Sequence, residues 1–522
     1  MISSRAVAGA AAVMLAALAA APAARAQTID TIVVVNRNIF DSQDNTLGFL
    51  GRLADALHVR TRAWVIRRTL LFDQGDRYDS ARVVESGRAL RGLGVFRDVS
   101  LDTTRVNGRF GVRVTTADGW SLRPQGDFSS SAGSISWSAG LVEKNLLGTA
   151  NEVTGLYQRT PDRSDWEGAL HAPAFLARRA VLDLGLLDLS DGSVGYWDYG
   201  VPFYETAAPW ALVGSGEAGT TRVLTFRDGA LADSTRRRAL VLALSGGRAL
   251  KAGDEAYTRL IWFAQLRRED FTAYGAPAAP DSLTFAAGLG LSLGRTRYQV
   301  AEHLDKFARH EDVDVSRRLY LGLWAAPRGF GYAPGRAGVG PEIQAQWGTA
   351  WSRGFAWLRL DADGMLTAAG LDSGRVEAAM TAMSQRLPRQ TLVFHAEGGA
   401  ATNVAPGTEF DLWQDLDGPR AFAAHTFTGT RRYWVVAEDR FLVDDNFLGL
   451  VGVGLAPFIE WGGAWYGNER PRAAGDLGLA LRLGATRSTR GEVTEVSIAD
   501  RLGAGFAGGR WALVVQQAVD LR

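Results

Sequence analysis

The chain has 522 residues, 47% of them hydrophobic, which supplies enough apolar material for a large folded body and excludes a disordered chain. Its 57 lysines and arginines nearly cancel 56 aspartates and glutamates, a balance that argues against a dedicated nucleic-acid binder. The absence of cysteine excludes a disulfide scaffold, a thiolate metal site and a cysteine nucleophile, and a mean hydropathy of −0.05 fits no helical membrane protein.

Residues 1–26 read as a secretory signal peptide. Arg5 supplies the positive start, Ala6 to Ala21 the apolar run, and Ala24-Arg25-Ala26 a small-x-small cleavage pattern that leaves Gln27 as the mature start. Residues 27–117 read as a small α/β domain. Ile32 to Val35 is a β-branched run, and Asn45–Leu57 and Ala63–Leu71 carry apolar residues at helical spacing. Asp79 or Ser80 caps a helix with Val83, Val84, Gly87 and Leu90 on one face, stopped at Gly94. Asn107-Gly108 then separates two alternating runs, the signature of a hairpin.

From 118 to 522 the period changes to two. Leu240, Leu242 and Leu244, then Leu289, Leu291 and Leu293, then Leu477, Leu479 and Leu481 each alternate with glycine, small or polar residues. A soluble sandwich would put charge, not glycine, on the face opposite its core. A membrane barrel puts large apolar residues towards lipid and small or polar ones towards the lumen. The fold class expected is therefore mainly β, a transmembrane antiparallel β-barrel preceded by one small α/β domain. At roughly 25 residues per strand with its connection, the segment holds about 16 strands. Extended candidates number nearer 20, and the surplus, such as Arg222 to Ala230, is assigned to surface loops. Trp120, Trp137, Tyr157, Trp357, Trp465 and Tyr466 suit interfacial girdles.

Specific residues add a resemblance. Val65 to Arg68, Gly75-Asp76, Leu93-Gly94-Val95-Phe96 and Asp98-Val99 resemble the polypeptide-transport-associated (POTRA) domain of BamA- and TamA-type outer-membrane proteins. Glu143-Lys144-Asn145-Leu146-Leu147-Gly148 resembles the start of the barrel in that superfamily. Gly418-Pro419-Arg420-Ala421-Phe422 resembles the tip of its sixth extracellular loop, Glu438 and Arg440 follow on the next strand, and Phe458-Ile459-Glu460-Trp461-Gly462 is similar to its "F-x-D-x-G" segment. Alanine stands at 421 for the family's glycine, and glutamate at 460 for its aspartate.

Period-two arithmetic sends Arg432, Glu438 and Arg440 inward on one strand, and Phe458 and Glu460 inward on the next. A loop arginine tucked into the lumen meets that carboxylate in a charge-assisted pair. The expected latch is Arg420 to Glu460, with Glu438 second, and the resemblance implies that it pins the loop inside the barrel. Trp511, Leu513, Val515, Val519 and Leu521 share one face of a closing strand.

Signals of chemistry are poor. The six histidines lack metal-type spacing, no Gly-x-Ser-x-Gly sits in a strand-turn-helix setting, and no cofactor is expected. His303 to His310, with Asp305, Glu311 and Asp312, reads as a solvated polar loop, and Asp411, Asp415 and Asp417 lack calcium-loop spacing. The resemblance implies a non-enzymatic outer-membrane protein, its POTRA domain in the periplasm, that helps assemble, insert or translocate other outer-membrane or secreted polypeptides. Its partners are then membrane lipids and unfolded clients, which add a strand to a POTRA sheet edge. Two rivals remain, a channel for solutes or lipids and a barrel enzyme such as a lipase.

Overall fold

In the computed structural model the described residues are 27–39, 59–273, 282–304, 306–307, 310–327, 337–403, 405, 407–413, 418–486 and 493–517. The signal peptide, the helix expected over Asn45–Leu57, Asp305, Asp415, Asp417, Val519 and Leu521 lie outside them.

The small domain is built from β1 (Thr31–Arg37), α1 (Ala63–Thr69), α2 (Ser80–Gly92), β2 (Phe96–Val106) and β3 (Arg109–Asp118), with sheet order β1-β3-β2. β1 runs parallel to β3, and β2 is antiparallel to it across the Asn107-Gly108 turn. The Asp79 carboxylate accepts from the Ala81 amide and starts α2. Gly94, at φ +66°, ends it in the left-handed region that side chains resist. Val83, Gly87 and Leu90 face inward on α2, while Val84 stays exposed. Ile66, Leu90, Phe96, Val112 and Val114 form the core.

The barrel begins with β4 (Leu122–Gln125) and β5 (Phe128–Ser131), both paired with β6 (Ser134–Glu143), so they are one broken strand. Next come β7 (Glu152–Arg159), β8 (Ser164–Ala172), β9 (Val181–Leu189), β10 (Gly192–Val201), β11 (Trp210–Arg227), β12 (Ala230–Ala252), β13 (Ala256–Ala273) and β14 (Ser282–Arg295). A small hairpin of β15 (Tyr298–Glu302) and β16 (His310–Asp314) interrupts them. The wall resumes with β17 (Arg317–Ala326), β18 (Gly338–Trp351), β19 (Gly354–Thr367), β20 (Gly370–Ser384) and β21 (Gln390–Thr402). A second small hairpin, β22 (Phe410–Leu412) and β23 (Phe427–Gly429), lies in the next loop. β24 (Arg431–Phe447), β25 (Val451–Trp465), β26 (Ala474–Ala485), β27 (Val493–Leu502) and β28 (Trp511–Gln517) complete the ring.

With β4 and β5 taken as one strand, the closed antiparallel barrel has twenty strands, which corrects the expected sixteen. Arg222 to Arg227, expected in a surface loop, is the end of β11, paired with β12 across an Asp228-Gly229 turn. A strand needs only ~9–11 residues to span lipid, and β12 has 23. The excess length lies outside the bilayer, where alternation no longer marks a strand.

The alternation sorts the two faces. Leu242, Leu289, Leu321, Leu323 and Leu479 are exposed on the outside. A continuous belt of such residues is a liability in water and a matched surface in lipid. Inside, glycine rows make room for aromatic rings. A Cβ added at Gly290 would collide with the Tyr320 ring, and one at Gly185 with the Tyr196 ring. Trp357, expected in a girdle, is buried in the lumen and stacks on Phe355 at 5.6 Å. Trp137, Tyr157 and Trp166 pack together at centroid spacings of 5.1 and 4.9 Å.

Candidate functional site

The loop between β21 and β24 folds back into the lumen and brings Arg420 to the inner wall. Its guanidinium Nε lies 3.2 Å from Oε1 of Glu460, and both side chains are essentially fully buried. The Arg420 amide donates to Oε2 of Glu460 at 3.2 Å. The guanidinium also lies 3.9 Å over the ring of Phe458, two residues along the same strand face. Glu438 is turned elsewhere: it accepts from Nε of Arg440 at 2.5 Å, so it pairs with its own strand neighbour rather than with Arg420.

Two further partners were not foreseen. Asp476, opposite Glu460 in the β25–β26 register, accepts from the Ala421 amide at 2.8 Å. The Ser131 hydroxyl sits 2.7 Å from the Arg420 carbonyl and 2.8 Å from the Phe422 carbonyl and donates into that pair. Phe422 packs edge-on against Phe427 and Phe506 at 5.0 and 5.2 Å. Beneath the tip the wall is trimmed to small side chains, with Ala456, Ala480, Ala499 and Ala512 buried around Ala421. Asp476 was legible from strand pairing, because an inward residue opposite Glu460 must face the same loop. Ser131 carried no local signal, being 289 residues from its partner.

The outer part of the loop is held by His425, whose ring stacks on Phe226 at 3.5 Å. Its Nδ1 lies 2.5 Å from Asp411 and its Nε2 3.0 Å from Asp162 in the β7–β8 turn. Burial alone would push this imidazole down. Hydrogen bonds to Asp162 and Asp411, and their charge, outweigh it and hold the group up at about 9. Both ring nitrogens therefore donate at neutral pH. Asp411, considered in the sequence beside Asp415 and Asp417, serves as an anchor for this histidine.

The barrel-start residues form a clasp to the linker of the small domain. The Asn145 amide donates to Glu143 at 2.7 Å, its Nδ2 donates to Oγ1 of Thr61 at 3.0 Å, and its Oδ1 accepts from the Ala150 amide at 2.9 Å. Gly148, at φ +75°, offers its carbonyl to the Arg62 amide at 2.9 Å, and a Cβ there would come within 2.5 Å of the Arg60 carbonyl. Asp118 closes the clasp by accepting from the Thr61 amide at 2.7 Å. In the small domain Gly75 and Asp76 bind the backbone of Ile29, Leu93 and Gly94 cap α2, and Phe96 is in the core.

Among the described residues no group of three or more His, Asp or Glu side chains has metal-binding geometry.

No protein-family model matches the chain. The outer membrane protein assembly factor BamA of Neorickettsia risticii is 30% identical over 99 residues, which is 18% of this chain and 13% of that protein. Over that segment the chain is similar to a BamA-type assembly factor. Among solved structures, BamA from Haemophilus ducreyi lacking POTRA domains 1–3 is 12% identical, covering 93% of this chain and 84% of that one, with a TM-score of 0.40. CdiB from Escherichia coli is 11% identical, covering 94% and 76%, with a TM-score of 0.48.

Proposed function

We propose that the chain is an outer-membrane barrel protein of the BamA-like kind, with its small domain in the periplasm, that assists the assembly, insertion or translocation of other polypeptides. The observation that carries this reading is the place of the loop tip. Arg420 and Phe422 are held by Glu460 on β25, Asp476 on β26 and Ser131 on β5, so the tip lies behind the junction of first and last strands. Among the described residues Phe128 to Ser131 pair with Ala512 to Val515, and β28 also neighbours β4, the other half of the broken first strand. A seam whose first strand is broken, braced from inside, can part without unfolding the wall and pass a strand into lipid.

The small domain suits client docking, because the β1-β3-β2 sheet ends in two edges that strand addition can use with little side-chain specificity. No chemistry is required of any residue in this scheme. The test is depletion of the protein followed by proteomics of the outer membrane. Loss of a defined set of barrels or secreted proteins supports the proposal, and an unchanged proteome contradicts it.

A further inference from the structure

The segment between β14 and β17 reads in the sequence as a solvated polar loop, yet parts of it are among the most buried of the chain. Leu304, Val313 and Val315 are fully buried and belong to the same lumen cluster as Phe355, Met383 and Phe422. The Phe307 ring lies against Gly452 and Gly454 of β25 and Gly484 of β26. A Cβ at Gly452 or Gly484 would come within 2.1 or 2.4 Å of it, so the wall is cleared to accept the ring.

Polar contacts fix the segment in this seat. Nη1 of Arg440 donates to the Leu304 carbonyl at 2.9 Å, the Thr391 hydroxyl to the His303 carbonyl at 3.1 Å, and Nε2 of Gln385 to the Glu302 carbonyl at 2.6 Å. Nε2 of His303 lies 3.0 Å from Asp445. The buried Glu311 carboxylate accepts from the Leu304 and Lys306 amides and shapes the bend.

The other side of the hairpin meets the small domain. Nε of Arg91, at the end of α2, lies 2.7 Å from Asp312, and the Arg88 guanidinium lies 3.8 Å over the Tyr298 ring. A twenty-stranded barrel is wide enough to hold water unless something fills it. The β21–β24 loop enters from one end, and this hairpin enters from the other.

We propose that the β15–β16 pair, with Leu304 and Phe307 beside it, is a stopper that seals the barrel mouth facing the small domain, and that α2 sets how often it opens. The buried apolar residues and the Arg440 contact hold the stopper in place. The Arg91–Asp312 pair is half-exposed and individually weak, so it biases the equilibrium instead of fixing it. A polypeptide that displaces the small domain removes that bias, and the open population rises by as much as the lost contact favoured closure. This inference goes beyond the assembly reading and stands without it, since gating is read as ionic current and assembly as client insertion.

The test is conductance of the full mature chain in planar bilayers, with heat-modifiable migration on gels to confirm that each variant is folded. The wild type is expected to open rarely. Leu304→Ala with Phe307→Ala is expected to raise the mean current several-fold. Arg91→Glu, which faces Asp312 with a like charge, is expected to raise the opening frequency, and Arg91→Glu with Asp312→Arg to restore it. Because the chain has no cysteine, His303→Cys with Asp445→Cys allows a cleavable thiol crosslink. The bridged protein is expected to stay closed and the cleaved one to open as the wild type does. Equal currents in wild type and the Leu304/Phe307 variant, equal currents before and after cleavage, or no recovery in the charge swap would overturn the proposal.

Discussion

At position 420 the chain buries a guanidinium against Glu460, with the Phe458 ring on one side and Asp476 holding the next amide. Removing one partner of a fully buried pair leaves the other desolvated and unmatched, at about 3–5 kcal/mol. Arg420→Ala should therefore release the loop tip, and limited proteolysis of the 403–430 loop in intact cells should show it. Arg420→Glu with Glu460→Arg should recover part of that protection; a double variant no better than either single one contradicts the pairing. His425 gives a pH-dependent anchor. Its folded value of about 9 lies above the ordinary 6.5. Its contribution is thus complete below about 6.5 and is lost as pH rises through about 9. Protection of the loop should fall over that window, and His425→Gln should remove the pH dependence. The inward direction of Glu438, Arg440 and Glu460 was legible from period two, whereas Arg420 was placed by the resemblance of its loop. Ser131 and Asp162 were not, because partners 289 and 263 residues away in the chain leave no local pattern.

Among the elements, the Glu143–Ala150 turn and the linker at 59–62 form one hydrogen-bonded unit. Gly148→Ala forces a side chain into the left-handed region and against the Arg60 carbonyl, at about 1–3 kcal/mol. Amide exchange at Arg62 should accelerate while exchange in β12 and β13 stays unchanged; uniform acceleration would mean that the clasp is not a local unit. Strand existence was well marked wherever leucine alternates with glycine, as in β14 and β26. Strand number was legible in the extended candidates, which numbered nearer 20, and was lost by assuming about 25 residues per strand with its connection; Arg222–Arg227, set aside as loop, is the polar end of β11. The β15–β16 segment was misread for another reason. Its charges are dense in sequence; Phe307 gains a buried seat because the wall opposite supplies Gly452 and Gly484, and Leu304 and Val313 are buried in the lumen cluster.

For the whole molecule, closure depends on two unequal kinds of edge. Long hairpins such as β11–β12 build most of the wall, while the ring is completed where β28 meets the broken first strand, β4 and β5. The loop tip braces that junction, and the small domain is clasped to the turn that follows β6. The proposed working part of the molecule is thus the seam where β28 meets β5. Ser130 and Leu513 face each other there, and facing strand residues lie about 4.5–5.5 Å apart, within disulfide reach. With no native cysteine to compete, Ser130→Cys and Leu513→Cys give a single reversible lock. The decisive measurement is the yield of folded client barrels in cells or proteoliposomes that contain only the locked protein, before and after addition of reductant. The account predicts that the oxidised protein is folded but inactive and that reductant restores client insertion. Equal insertion in the oxidised and reduced states would contradict it.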